Sequence, residues 1–286
     1  MCRLFGFRSV TSSQVHRSLV SAENALAVQS RVHKDGWGVA WYHLGVPHLI
    51  KGADSAFQDR MFARVSGVVA SRTVLAHIRQ ATVGDINVLN SHPFQFGRWV
   101  MAHNGTVFEF ARHREALLNL IDPALRRSVL GDTDSEVLFM LVLTELARRV
   151  DLDAPVVSVP QVAGAIEAAL NRVRALCDES ADRASRLTVL LTNGDTLVGA
   201  CSGRELHWST WKYACQDKDV CAFHAPNCEA PTVDGKVNHL ILSSEPLQGE
   251  NDWTELPFGG VVGVDADMQL WRGRLGEGVT AVGRAG

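Results

Sequence analysis

Met1-Cys2-Arg3-Leu4-Phe5-Gly6-Phe7-Arg8-Ser9 sets a cysteine directly behind the initiator and an apolar stretch directly behind the cysteine. Methionine is normally trimmed when the next side chain is small, so the mature chain is expected to begin at Cys2, with a thiol and a free amine on one carbon. A free thiol titrates at about 8.5 and an α-amine at about 7.7 to 8.0. Near neutral pH part of the amine is therefore unprotonated and can draw the thiol proton, directly or through a water. One residue then carries both nucleophile and base.

Further polar segments lie where apolar strands end. His33-Lys34-Asp35-Gly36-Trp37-Gly38 leads into a strand, and His77-Ile78-Arg79-Gln80-Ala81-Thr82 closes another, followed by Asn90-Ser91-His92-Pro93-Phe94. Ala102-His103-Asn104-Gly105 ends a third, and Gly131-Asp132-Thr133-Asp134-Ser135-Glu136 starts a helix. The ends of a rigid sheet are where a site can be presented. Each segment alone has a plain reading: His-Asn-Gly is a turn, the Asp132 to Glu136 run is a helix cap, Arg79 is a surface ion-pair member, and His77, His92 and His103 are structural histidines. Their joint occurrence behind Cys2 points to a site.

Short apolar runs read as strands at Leu4 to Phe7, Trp37 to Tyr42, Val74 to Ile78, Trp99 to His103, Leu187 to Thr192, Leu197 to Cys201 and His239 to Ser243. Helices are expected over Val15 to Gln29, Glu109 to Leu120, Ser135 to Val150 and Val162 to Leu176. The third has its start signal in Asp132, Thr133 and Asp134, with Glu136 in the first turn. Asn193-Gly194-Asp195 marks a hairpin. Strands come first and last with helices between them, so the pattern favours α+β with antiparallel sheet over a doubly wound sheet. Asp151 to Pro160 and Gln216 to Lys236 read as surface connections, and residues 1–286 as one domain.

The 286 residues are 46% hydrophobic and 21% charged, ordinary values for a globular chain with a sizeable core. A formal net charge of -3 with no basic cluster gives no electrostatic footprint for nucleic acid. The N-terminus lacks the apolar stretch of a signal peptide, and no segment approaches the about 20 apolar residues of a membrane helix. A cytoplasmic location is expected, where Cys177, Cys201, Cys215, Cys221 and Cys228 stay free thiols. Cys215, Cys221 and Cys228 are separated by five and six residues rather than by the short pairs of a structural zinc site, so no metal is expected.

These segments together resemble the class II glutamine amidotransferases, and among them the stand-alone YafJ-type branch. The matching text is His-Lys-Asp-Gly-Trp-Gly at 33 to 38, Ala-His-Ile-Arg-Gln-Ala at 76 to 81, His-Pro-Phe at 92 to 94, Ala-His-Asn-Gly at 102 to 105 and Thr-Asp-Ser-Glu at 133 to 136. It continues with Leu-His-Trp at 206 to 208 and Pro-Leu-x-Gly-x-x-x-Trp at 246 to 253. The resemblance implies the four-layer αββα fold of the N-terminal-nucleophile hydrolases, built on two antiparallel sheets. It also implies roles: Cys2 as nucleophile on the side-chain amide of glutamine or a γ-glutamyl compound, Arg79 on the substrate α-carboxylate, Asp134 on its α-ammonium. Asn104 by its side-chain amide and Gly105 by its backbone N–H would form the oxyanion hole, glycine sparing the substrate a Cβ. Thr82, His92 and His103 would shape the pocket, and Trp37 with its glycines would fix the loop facing Cys2. No metal or organic cofactor is implied.

Val83 follows Thr82 where synthase-fused members carry histidine, so that contact is missing. The length leaves no space for a synthase domain, so the resemblance implies either hydrolysis of a γ-glutamyl amide or ammonia transfer to a separate protein partner. A glutamine-binding sensor without catalysis is the remaining alternative. Residues touching the leaving group are expected in the loops around 43 to 60 or 209 to 236.

Overall fold

The computed structural model describes residues 2–14, 17–215, 218–219 and 221–283. Met1, and with it the expected loss of that residue, lies outside them, as do Val15 and His16 of the first expected helix. In chain order the strands are β1 (Arg3–Gln14), β2 (Trp37–His43), β3 (Val46–Gly52), β4 (Ala70–Ile78), β5 (Phe94–Phe96), β6 (Trp99–Thr106) and β7 (Arg186–Thr192). They continue with β8 (Leu197–Ala200), β9 (His207–Ser209), β10 (His239–Ser243), β11 (Thr254–Glu255), β12 (Gly260–Val264), β13 (Leu270–Arg274) and β14 (Gly278–Ala281). The helices are α1 (Leu26–Gln29), α2 (Arg60–Val68), α3 (Phe110–Leu120), α4 (Pro123–Arg126), α5 (Asp134–Ala147) and α6 (Val159–Cys177).

Among the described residues the strands form two seven-stranded sheets, ordered β11-β9-β10-β1-β4-β2-β3 and β14-β13-β12-β8-β7-β6-β5. Every pairing is antiparallel. Alternation along each strand sends successive side chains to opposite faces, and that builds the layers. Leu4, Ala40, Leu75 and Leu242 of the first sheet meet Val100, Ala102, Leu190 and Val262 of the second. The outer face of the first sheet, with Phe5, Phe7, Val39 and Val74, packs under Leu26 of α1 and Phe62 and Val65 of α2. The outer face of the second, with Met101, Val189 and Leu191, packs against α3, α5 and α6. Helix, sheet, sheet, helix is the expected αββα sandwich. Helix α5 is buried from Asp134 to Leu146, as a helix apolar all round must be. No helix of the described residues is long and apolar enough to cross a membrane.

The first expected helix does not form over its full length. β1 continues to Gln14 because Ser13 and Gln14 pair with Ser71 and Ala70 of β4. A single π-type turn, Arg17–Ser21, and the four-residue α1 follow. Between them Asn24 gives its side chain to the 246–248 segment, donating to the Pro246 carbonyl at 2.8 Å and accepting from Gln248 N at 2.8 Å. Side chains that bond elsewhere in this way compete with helix. Helix α2 has no counterpart in the sequence reading, although Asp59 caps it by accepting from Met61 N at 2.8 Å. Thr133 caps α5 as expected, accepting from Glu136 N at 3.2 Å. The Asn193 to Asp195 hairpin joins β7 to β8 with Gly194 at φ 97°.

Candidate active site

Cys2 stands at the head of β1, which lies between β10 and β4. Arg3 is in register with Ile78, so Cys2 reaches the residues that leave β4. Gln80 N approaches its Sγ at 3.3 Å, and Sγ lies 3.4 Å from the Gln80 carbonyl, which accepts from the S–H. Burial pushes the Cys2 thiol above its ordinary pKa, while the Gln80 backbone and the Arg79 charge oppose that rise. The thiol is thus protonated near neutral pH and needs a base before it can attack.

The segment after β4 is fastened from both sides. Arg79 N donates to the Gly36 carbonyl at 2.7 Å and Ala81 N to Asp35 Oδ2 at 2.8 Å, which lays the His33 to Trp37 loop along residues 79 to 81. His33 Nδ1 lies 3.2 Å from Gln80 Oε1. Arg79 itself is 2% exposed, not the surface ion-pair member of its plain reading. Its guanidinium donates to the carbonyls of Asp85, Val83 and Gly84 at 3.0, 3.0 and 3.2 Å. Asn90 extends this scaffold, donating to the Asp85 carbonyl at 3.0 Å and accepting from Asp132 N at 2.9 Å. The turn that holds Arg79 is thereby tied to the start of α5.

The second sheet supplies the facing wall. At the end of β6, Asn104 and Gly105 pair with Thr188 and Leu187 of β7. By alternation Asn104 shares the inter-sheet face of Val100 and Ala102, and His103 turns toward α5. Asp134, first residue of α5, is buried and accepts from Val107 N at 2.8 Å, with its Oδ1 3.1 Å from Ser135 Oγ. Cys2, Arg79, Thr82, His92, Gly105 and Asp134 line one narrow cavity. Asn104 is not in its lining but stands one residue upstream of Gly105.

The family described as class II glutamine amidotransferases matches residues 1–271. The chain belongs to the class II glutamine amidotransferases. It is 28% identical to the putative glutamine amidotransferase YafJ of Escherichia coli, covering 78% of this chain and 82% of that protein. It is 24% identical to the γ-glutamyl-hercynylcysteine sulfoxide hydrolase of Mycobacterium tuberculosis, covering 90% of each. A solved class II domain protein from Silicibacter pomeroyi superposes with a TM-score of 0.65 at 23% identity, over 96% of this chain and 99% of that one. The PRPP amidotransferase of Bacillus subtilis superposes at 0.60 with 14% identity, over 96% of this chain and 49% of that one.

Within the amidotransferase site, Gly105 has a different reason from the expected one. A Cβ there would lie 1.7 Å from the Arg186 carbonyl oxygen and 2.7 Å from His103 Nε2. It would strike β7 rather than a substrate, so glycine is required by strand packing. Gly105→Ala is expected to cost about 3 kcal/mol or more of stability, at the upper end for overpacking, because the obstacle is backbone. Urea unfolding measures this; a change within about 0.5 kcal/mol, the range of neutral surface substitutions, would show that β6 and β7 separate freely.

The buried histidines bring no positive charge to the site. Burial pushes His77 down to about 3 and His92 well below its usual value, and their rings stack at 4.1 Å. A Cβ on Gly38 would lie 2.1 Å from the His92 carbonyl oxygen, so this glycine lets the His92 segment press onto β2. Thr82 is exposed and donates to Thr106 Oγ1 at 3.1 Å, since the Thr106 hydroxyl is itself spent on the Gly105 carbonyl at 2.7 Å. Gln80 and Ser135 also line the cavity; both sat in the quoted motifs, without a role read for them. From the stretch 209 to 236, Lys212, Cys215, Cys221, Phe223 and Cys228 border a separate cavity of about 380 Å³ on the outer face of the first sheet. All six cysteines are free thiols. Among the described residues no group of three or more His, Cys, Asp or Glu is arranged to hold a metal ion.

Proposed function

We propose that the chain hydrolyses the side-chain amide of glutamine or of a γ-glutamyl compound through a thioester on Cys2. The observation that carries this reading is the convergence of a half-buried thiol, a guanidinium and a carboxylate on one cavity, through Cys2, Arg79 and Asp134. A free α-amino acid end carries one negative and one positive group, and Arg79 and Asp134 complement them. Loss of Met1 leaves the Cys2 amine free to take the thiol proton, which the raised thiol pKa makes necessary.

The thiolate attacks the amide carbon, and the carbonyl oxygen becomes an oxyanion held by the Asn104 side chain and the Gly105 N–H. The protonated amine gives its proton to the leaving nitrogen, the C–N bond breaks and the γ-glutamyl group stays on sulfur. A water deprotonated by the same amine attacks the thioester, the C–S bond breaks and glutamate leaves. Similarity to a protein named as a γ-glutamyl hydrolase supports hydrolysis over transfer.

Protein beginning at Cys2 is expected to release glutamate from glutamine or from simple γ-glutamyl amides. Acid-quenched intact mass spectrometry should show one glutamyl adduct on the N-terminal peptide. A chain with free Cys2 that releases no glutamate from any of them overturns the proposal.

A further inference from the structure

Behind Asp134 runs a chain of hydrogen bonds that the reaction as written does not use. His103 Nε2 lies 3.0 Å from the Arg186 carbonyl, His103 Nδ1 lies 2.8 Å from Ser135 Oγ, and Ser135 Oγ lies 3.1 Å from Asp134 Oδ1. Asp134 Oδ2 accepts from Val107 N. His103, Asp134 and Ser135 are at most 4% exposed, so water does not substitute freely for any link.

The protons in this chain can be counted. A carbonyl only accepts, so Nε2 of His103 always carries hydrogen. The Ser135 hydroxyl has a single proton to give. With His103 neutral, Nδ1 is an acceptor, Ser135 donates to it, and Asp134 Oδ1 keeps its lone pairs for a ligand. With His103 charged, Nδ1 donates to Ser135, and the hydroxyl turns to Asp134 Oδ1. The second arrangement is a serine-bridged imidazolium–carboxylate pair, and it satisfies Asp134 from behind.

We infer that His103 and Ser135 are positioning residues for Asp134, forming a brace whose two proton arrangements make binding of the substrate α-ammonium and protonation of His103 mutually exclusive. This rests on the proposed role of Asp134 toward the substrate. An incoming ammonium brings a cation to the same carboxylate, and two cations cannot share it at full strength in a buried site. Binding therefore expels the His103 proton to solvent, and acid weakens binding although the substrate ammonium stays charged.

The groups around His103 set where this occurs. Asp134 on α5 favours the charged ring. Burial disfavours it most and the Arg204 charge between β8 and β9 adds to that, while the His92 ring at 6.5 Å and His77 on β4 face it uncharged. The result is a pKa below the usual 6.5, so the brace is open to substrate at neutral pH and closes in acid.

Calorimetric titration of glutamine into the Cys2→Ala protein reads binding without chemistry, and repeating it in buffers of different ionisation heat counts protons. As the pH falls from neutral into acid, proton release on binding is expected to set in, with Kd rising toward about tenfold per pH unit once the solution is below the His103 pKa. His103→Gln, which cannot charge, should bind glutamine with no proton release and a flatter Kd profile. Ser135→Ala should also flatten it, and Ser135→Thr should restore it. Binding with no proton release, or the same profile in His103→Gln as in its parent, overturns the brace alone. No binding of glutamine or of any simple γ-glutamyl amide overturns the reading of Asp134 and the brace with it.

Discussion

Cys2→Ala is expected to bring glutamate release down to the uncatalysed rate while the protein stays folded, because the substitution removes the atom proposed to form the thioester and little else. Sγ is held by backbone groups of Gln80 at 3.3 and 3.4 Å, and those groups belong to a segment fastened independently through Gly36 and Asp35. A companion variant separates thiol from amine. Inserting lysine between Met1 and Cys2 blocks methionine removal, since the second side chain is then large, and leaves the Cys2 nitrogen in a peptide bond. The thiol remains, still raised by burial, but its base is gone. The drop expected for losing general base and general acid together is about 10² to 10⁴ in kcat. Glutamate release by both proteins, with intact mass to verify each N-terminus, checks the pair. Full activity in the extended protein would mean that another group deprotonates Cys2.

How much of this was legible in the sequence follows from what each feature depends on. Strands β2, β4, β6, β7 and β10 announced themselves because their central residues are buried on both faces and mostly apolar. β13 and β14 did not, since exposed residues alternate along both. β12 carries two glycines in five residues, Gly260 and Gly263, which dilutes an apolar signal that burial confirms. The region from Arg17 to Gln29 looked helical from its spacing. Its fate was decided by the pairing of Ser13 and Gln14 with β4 and by Asn24 reaching a loop more than two hundred positions away, and neither is local information.

The site divides in the same way. Cys2 stood out by its position behind the initiator, whereas Arg79 and Asp134, plainly read as a surface ion pair and a helix cap, were singled out by the family resemblance of their motifs. Gly105 was readable as a residue but not in its reason, because only the register of β6 against β7 shows that its missing Cβ faces the Arg186 carbonyl. Ser135 was hidden by its neighbour: in Thr-Asp-Ser-Glu the acid and the cap explain the motif well enough alone. That Arg79 binds three carbonyls of its own turn adds a constraint invisible in sequence, since in the proposed role its donors to substrate are those left over from a structural task.

Asn104→Ala should lower kcat by about 10² to 10³ with little change in KM, the signature of a donor that acts on charge appearing only in the transition state. By alternation along β6 the side chain faces the inter-sheet space. The backbone on either side is held in register with Thr188 and Leu187, so truncation removes the amide without releasing the strand. Melting temperature should accordingly move little, in contrast to Gly105→Ala. Asn104→Asp sharpens the test, because it preserves shape but sets a negative carboxylate where the oxyanion develops, and it should be no better than alanine. Burst kinetics with a γ-glutamyl amide would show acylation slowed in both, since the tetrahedral intermediate must be passed before the amine leaves. A rise in KM at constant kcat would instead make Asn104 a ground-state contact, and the oxyanion would then have to be held by Gly105 and its neighbours' backbone alone.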